Sequence, residues 1–287
     1  MVLFGIREAS HFCSSFSPRG GVATRSLDEY QKNQLRNRSI VLREGTPEFE
    51  NYRSCSIREV ERCLFLAASH YRRFLDLLIP SACHWASVTL YYGSWYASHA
   101  LLGMFGCSIF QRSVIDVQNS TPGRQELRLR TIGSGTNQQP TTYNRASSHK
   151  IYWDLFYEAV RRLDPMVSPK LSIALNPINN DRAWQIDYRN GINYDSLKGC
   201  ELALSFENSF SGSSFPSSLP GMLATQYKVN EALLELAFQY ARIFNIQTDA
   251  LNGFGQSSSL VDKVNALIYS KKPPSLVGKT RKSNIFP

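Results

Sequence analysis

From Trp85 to Phe110 the chain carries no Asp, Glu, Lys or Arg, a run long enough to cross a lipid bilayer. A run of this kind is either a membrane span or a helix that other protein buries on every side. Its polar content decides between the two. Ser87, Thr89, Ser94, Ser98 and Ser108, with Tyr91, Tyr92, Tyr96 and His99, place hydroxyls and an imidazole where hydrocarbon would penalise each of them. The sequence therefore predicts the innermost helix of a bundle and no membrane partner. The opening Met1-Val2-Leu3-Phe4-Gly5-Ile6-Arg7-Glu8 is too short an apolar run for an export signal, so a cytoplasmic location is expected.

Around that helix, apolar residues recur at helical spacing. Ser26-Leu27-Asp28-Glu29 and Ser56-Ile57-Arg58-Glu59 each put a serine three positions before a glutamate, the pairing that satisfies the first free amides of a helix. Helices are predicted over residues 26 to 43 and 57 to 79, the second stopped by Pro80. Others are expected from Ser81, over residues 149 to 164, briefly from Asn180, over 226 to 246, and from Ser259. Ser113-Val114-Ile115-Asp116-Val117 and Glu126 to Ile132 alternate apolar with polar across the turn residues Asn119 to Gly123, which predicts a β-hairpin. Ser205 to Pro220 reads as a loop. Residues 1–56 are expected to form an N-terminal extension with one helix. Residues 57–270 then form a mainly α bundle with the hairpin inserted near 110–133, and residues 271–287 a basic flexible tail.

The six cysteines, Cys13, Cys55, Cys63, Cys83, Cys107 and Cys200, show no Cys-x-x-Cys pair and no zinc-like alternation with histidine. No metal site and no cofactor are expected, and the thiols suit a reducing compartment. No nucleotide-binding loop, Ser/His/Asp order, paired carboxylates or His-Glu-x-x-His appears. The formal charge of +9 favours polyanionic partners, because each neutralised phosphate releases counterions. Part of that charge is the tail's Lys271, Lys272, Lys279, Arg281 and Lys282.

Two stretches together carry a family likeness. Tyr91-Tyr92-Gly93-Ser94-Trp95-Tyr96-Ala97-Ser98-His99-Ala100-Leu101-Leu102 resembles the Tyr-Tyr-x-x-Phe-x-Ala-x-x-Ala-Leu-Leu helix of the HEPN superfamily. Arg189-Asn190-Gly191-Ile192-Asn193-Tyr194 stands in chain order where that family carries an arginine, a polar residue and, a few positions on, a histidine. The resemblance implies a HEPN-like helical bundle acting as a metal-independent ribonuclease or RNA-binding protein. It further implies a bacterial defence or toxin–antitoxin setting, homo-oligomers and a partner protein or antitoxin. It assigns Arg189 to the scissile phosphate, with Asn190 and Tyr194 beside it. The family's histidine is missing, since none of His11, His70, His84, His99 and His149 follows an arginine at the required distance.

Each candidate also has a purely structural reading. Arg189 forks its donors to suit phosphate, or pairs on the surface with Asp187 or Asp195. Arg128 and Arg130 share one face of the second strand, either as phosphate contacts or as an edge protected by charge. His70 and Arg73 lie on the polar face of a helix, as an RNA-facing patch or a solvated one. Tyr152, Trp153, Trp184 and Tyr188 either stack bases or fill the core. His99 reads as a core imidazole. A non-catalytic helical scaffold of a larger protein or RNA assembly is the competing functional reading.

Overall fold

The computed structural model describes residues 6–14, 27–35, 41–110, 113–119, 123–131, 148–160, 184–210 and 219–246. Its order is α1 (Ile6–Ser14), α2 (Leu27–Tyr30) running into a π turn (Gln31–Leu35), β1 (Val41–Arg43) and α3 (Pro47–Asp76). A short turn over Pro80–Ala82 leads into α4 (Cys83–Met104), followed by β2 (Ile109–Phe110), β3 (Ser113–Asn119) and β4 (Glu126–Thr131). Then come α5 (Ser148–Val160), α6 (Trp184–Tyr194), α7 (Ser196–Phe210) and α8 (Gly221–Ile243). The chain is a helical bundle carrying a β-hairpin.

The uncharged segment is α4, and α3, α5, α6, α7 and α8 all pack against it. Ala86, Leu90, Tyr91, Ala97, Ala100 and Leu101 are fully buried, and each buried leucine is worth about 1.5–3 kcal/mol of transfer free energy. Its polar groups find partners inside the protein. Ser87 Oγ donates to Gln226 Oε1 at 3.0 Å, Ser94 Oγ to the Leu90 carbonyl at 3.3 Å and Ser98 Oγ to the Trp95 carbonyl at 2.7 Å. None of the described helices is long and apolar enough to cross a membrane.

Two glycines let α4 approach its neighbours closely. A Cβ on Gly103 would lie 2.6 Å from Val60 Cγ2 on α3, and one on Gly93 would lie 2.7 Å from Asn230 Nδ2 on α8. Asn230 uses that closeness, donating to the Leu90 carbonyl and to Ser94 Oγ, each at 3.1 Å.

Several boundaries differ from the sequence expectations. Helix α3 begins at Pro47, where Thr46 caps it and Glu48 and Glu50 occupy the first turn, so proline's fixed φ and a hydroxyl cap outrank the later Ser56 signal. Ser56 is instead buried mid-helix, 3.5 Å from the Gly103 carbonyl. Residues 41 to 43 are a strand rather than a helix end, because β1 pairs antiparallel with β4 and places Leu42 opposite Leu127. The hairpin is the centre of a four-stranded sheet ordered β1-β4-β3-β2, with Val114 opposite Arg130 and a bulge between Val117 and Asn119. Residues 205 to 210, expected as loop, continue α7. Arg189 to Tyr194, whose Asn-Gly-Ile-Asn reads equally as a turn, is wholly helical. The expected helix from Ser259, the tail from Lys271 and the polar loop before Ser148 lie outside the described residues.

The segment before residue 57 is tied into the rest. Phe12 packs edge-on against Phe49 with centroids 6.2 Å apart, and Cys13 Sγ points at the Met104 carbonyl at 3.3 Å. His11 Nε2 meets Glu44 Oε1 at 2.6 Å, and Gln125 Nε2 donates to the Glu8 carbonyl at 2.9 Å. These bonds anchor the sheet to the end of α4.

Candidate functional site

Helix α6 lies along the flank of α4, and its Arg189 places a guanidinium carbon 5.0 Å from the centroid of Tyr91 and 5.7 Å from that of Tyr92. Both rings are within the range of a cation–π contact. The surface pairing expected as the alternative is not formed. Asp187 Oδ2 accepts from Lys150 Nζ at 2.9 Å, and Asp195 Oδ1 caps the start of α7 through the Leu197 amide at 3.0 Å. Among the described residues no carboxylate bridges Arg189, and its Nε, shielded from solvent, has no acceptor.

Tyr91 is the pivot of the site. Its hydroxyl lies 2.8 Å from His149 Nδ1 on α5 and accepts the Trp153 indole N–H at 3.3 Å. Burial pushes Tyr91 up to about 12, against the pull of Trp153 and Arg189, so the phenol keeps its proton at neutral pH. Trp95 closes the ring of aromatics, 4.2 Å from His149 and 4.2 Å from Tyr152. Burial first, and the Arg189 charge second, hold His149 below the usual imidazole range. His99 stacks on Tyr152 at 4.2 Å with planes only 10° apart, and burial pushes it down to about 3. It is a neutral core imidazole.

The structure separates several residues that the motif lists together. On a helix, Tyr194 stands about 140° around the axis from Arg189 and Asn190 about 100°, so only Asn190 and Tyr194 share a side. Tyr194 is 77% exposed. His70 stacks on Tyr96 at 5.4 Å and tilts against Tyr92 at 5.7 Å, and burial lowers its pKa. It therefore belongs to the aromatic layer, where it shares the Tyr92 ring with Arg189. Arg73 is exposed in the last turn of α3. Arg128 is exposed on β4 opposite Asp116, and Arg130 lies opposite Val114 in the same register. The sheet to which both positions belong follows the C-terminal end of α4, which lies about 20 Å along the helix axis from Tyr91. Trp153, Tyr152 and Trp184 are buried core residues.

A cavity of about 730 Å³ opens on the other side of α6, walled by Trp184, Tyr188, Ile192, Lys198, Leu202 and Met222 among others. Its Lys198 lies across Gly191, whose Cβ would come 3.2 Å from Lys198 Cδ. Glycine mid-helix weakens α6 by roughly 0.5–1 kcal/mol relative to alanine, and here it gives the lysine stem its seat. Among the described residues no group of three His, Cys, Asp or Glu side chains is arranged to hold a metal.

Sequence reasoning named Arg189 but missed Tyr91 and His149 as its companions. Tyr91 stood inside the quoted family stretch, whereas nothing in the spacing of His149 links it to Arg189. Their meeting is a product of tertiary packing. No family model, curated protein or solved structure matches this chain.

Proposed function

We propose that this protein is a HEPN-like RNA-binding or RNA-cleaving effector of a bacterial defence or toxin–antitoxin system, with Arg189 at the phosphate. The observation that carries the reading is the placement of Arg189. Its guanidinium rests on two tyrosine faces, its Nε has no acceptor among the described residues, and the nearby carboxylates of Asp187 and Asp195 are engaged elsewhere. A guanidinium held in that way is preorganised for a pair of phosphate oxygens, because its donors are not consumed by a carboxylate. Support also comes from the uncharged Tyr-Tyr helix at the bundle centre and from the overall positive charge. In this reading the chain works in the cytoplasm as a homo-oligomer and uses no metal or cofactor.

Incubating the full chain with total RNA tests it. Cleavage or retention of RNA is expected for the native protein, with a loss of about tenfold or more in Arg189→Ala, since a charge-assisted hydrogen bond is worth about 1.5–3 kcal/mol. RNA affinity and RNA integrity unchanged by Arg189→Ala would sink the proposal.

A second reading, a non-catalytic scaffold, draws on one feature of α7. Leu197 is 66% and Leu204 59% exposed, and with Cys200, also exposed, they follow a single helical stripe. A stripe of that kind suits a protein partner. Wild-type protein that leaves RNA intact and does not bind it would favour this reading.

A further inference from the structure

Stacking on a base requires an aromatic face open to solvent, and the fold withholds most of its rings. Tyr152, Trp153 and Trp184 fill the core, whereas Trp85, in the first turn of α4, is 52% exposed. Among the described residues His84 is the one ring packed against it, tilted by 46° at 5.5 Å. Phe65 at 50% and Tyr194 at 77% are also open, but Phe65 stands about 140° around α3 from His70, and Tyr194 about 140° around α6 from Arg189. Trp85 is placed differently. It precedes Tyr92 by two turns, about 10 Å along the axis of α4 and about 20° around it. Tyr92 is flanked by His70 of α3 at 5.7 Å and by the Arg189 guanidinium of α6 at 5.7 Å, so the strip it shares with Trp85 runs between those helices. Positive charge follows the same strip: in its last two turns α3 exposes Arg72 and Arg73 against one acid, Asp76.

Resting on the RNA reading above, we propose that this strip is the path of a single strand of RNA, with Trp85 stacking on an unpaired base and Arg73 on the backbone as the strand approaches Arg189. An indole offers its face to any base, so the contact is indifferent to sequence but needs a base that is free to leave its neighbours. Cations beside the ring hold the phosphates, and each one releases a counterion. A duplex keeps its bases stacked on one another and has no free face for Trp85, so the strip selects unpaired strands over paired ones. Trp85 takes no part in any bond that breaks; it binds the strand and sets its register.

Titrating the full chain with a short oligo(U) RNA, and reading both affinity and indole emission, tests this. Emission is expected to fall on binding. Trp85→Phe should retain most of the affinity, since a phenyl ring also stacks, while losing most of the emission change. Trp85→Ala should weaken binding about 5–150-fold, the equivalent of about 1–3 kcal/mol for one stacked base. It should leave the salt dependence as it was, because no charge is removed, and an exposed position leaves the melting temperature unchanged. Arg73→Ala and Arg189→Ala should each lower the salt slope by about one. Affinity undiminished in Trp85→Ala while Arg189→Ala is impaired overturns this inference alone, as does a duplex RNA bound as tightly as oligo(U). Native protein that does not bind oligo(U), or binding indifferent to Arg189→Ala, overturns the RNA reading as well.

Discussion

Helix α4 has two unlike sides. Toward α3 and α8 it packs through Gly93 and Gly103, and the buried polar groups there meet across the seam: Ser87 with Gln226, and Ser94 and the Leu90 carbonyl with Asn230. Toward α5 and α6 it packs through Tyr91, Trp95 and His99, and there His99 Nε2, Arg189 Nε and both ends of the Gln185 amide have no partner among the described residues. A buried polar group left unmade costs about 1–3 kcal/mol. The α8 side carries such atoms as well, Gln226 Nε2 and Asn230 Oδ1. What sets the two sides apart is therefore the packing: close glycine contacts on one, and aromatic rings with a guanidinium laid over them on the other.

Three changes would break or sharpen that contrast. Trp153 is fully buried against Tyr91, Trp95 and Phe156, so Trp153→Ala should lower unfolding stability by about 3–5 kcal/mol in urea. A loss under about 1 kcal/mol would mean that the aromatic side is not a packed unit at all. Gly103→Ala drives a methyl group into the stiff, buried Val60, and overpacking of this kind costs about 1–3 kcal/mol. Helix propensity returns up to about 1 kcal/mol of it, so a net loss near 1–2 kcal/mol is expected. A stabilised Gly103→Ala would show that α3 and α4 do not meet as closely as described.

The smallest effect is the pH response. His70, His99 and His149 all have folded pKa values below the unfolded one, chiefly through burial. The unfolded chain therefore binds more protons as pH falls through about 6.5, and stability declines from there downward, reaching for His99 toward about 3. One such histidine contributes at most about 1.4 kcal/mol per pH unit. Urea midpoints compared between about pH 7 and pH 5.5, above the carboxylate range, should drop in the native protein and drop less in His99→Phe. Equal drops would place the response elsewhere.

The central helix was legible because absence of charge over so many residues leaves few physical options, and its serines and tyrosines excluded lipid. The hairpin was legible from its period of two. The start of α3 was misplaced because a capping-box pattern at Ser56 competes with the Thr46-Pro47 signal, and local sequence does not rank them. Strand β1 was hidden because three residues carry no periodicity, and only pairing with β4 makes them a strand. Arg189 was singled out through the family resemblance and its polar neighbours. His149 was not, since Tyr91 joins it to Arg189 across three helices, a relation that exists only after folding.

Five of the six thiols are buried, and burial lifts those of Cys13, Cys63 and Cys83 above the reactive range. Cys200, on the outer side of α7, is the exception. Reactivity follows the accessible thiolate, so a maleimide dye or spin label added to the native chain will attach there first, and spectroscopic distances measured from that one anchor can follow α7 through RNA addition without any engineered mutation.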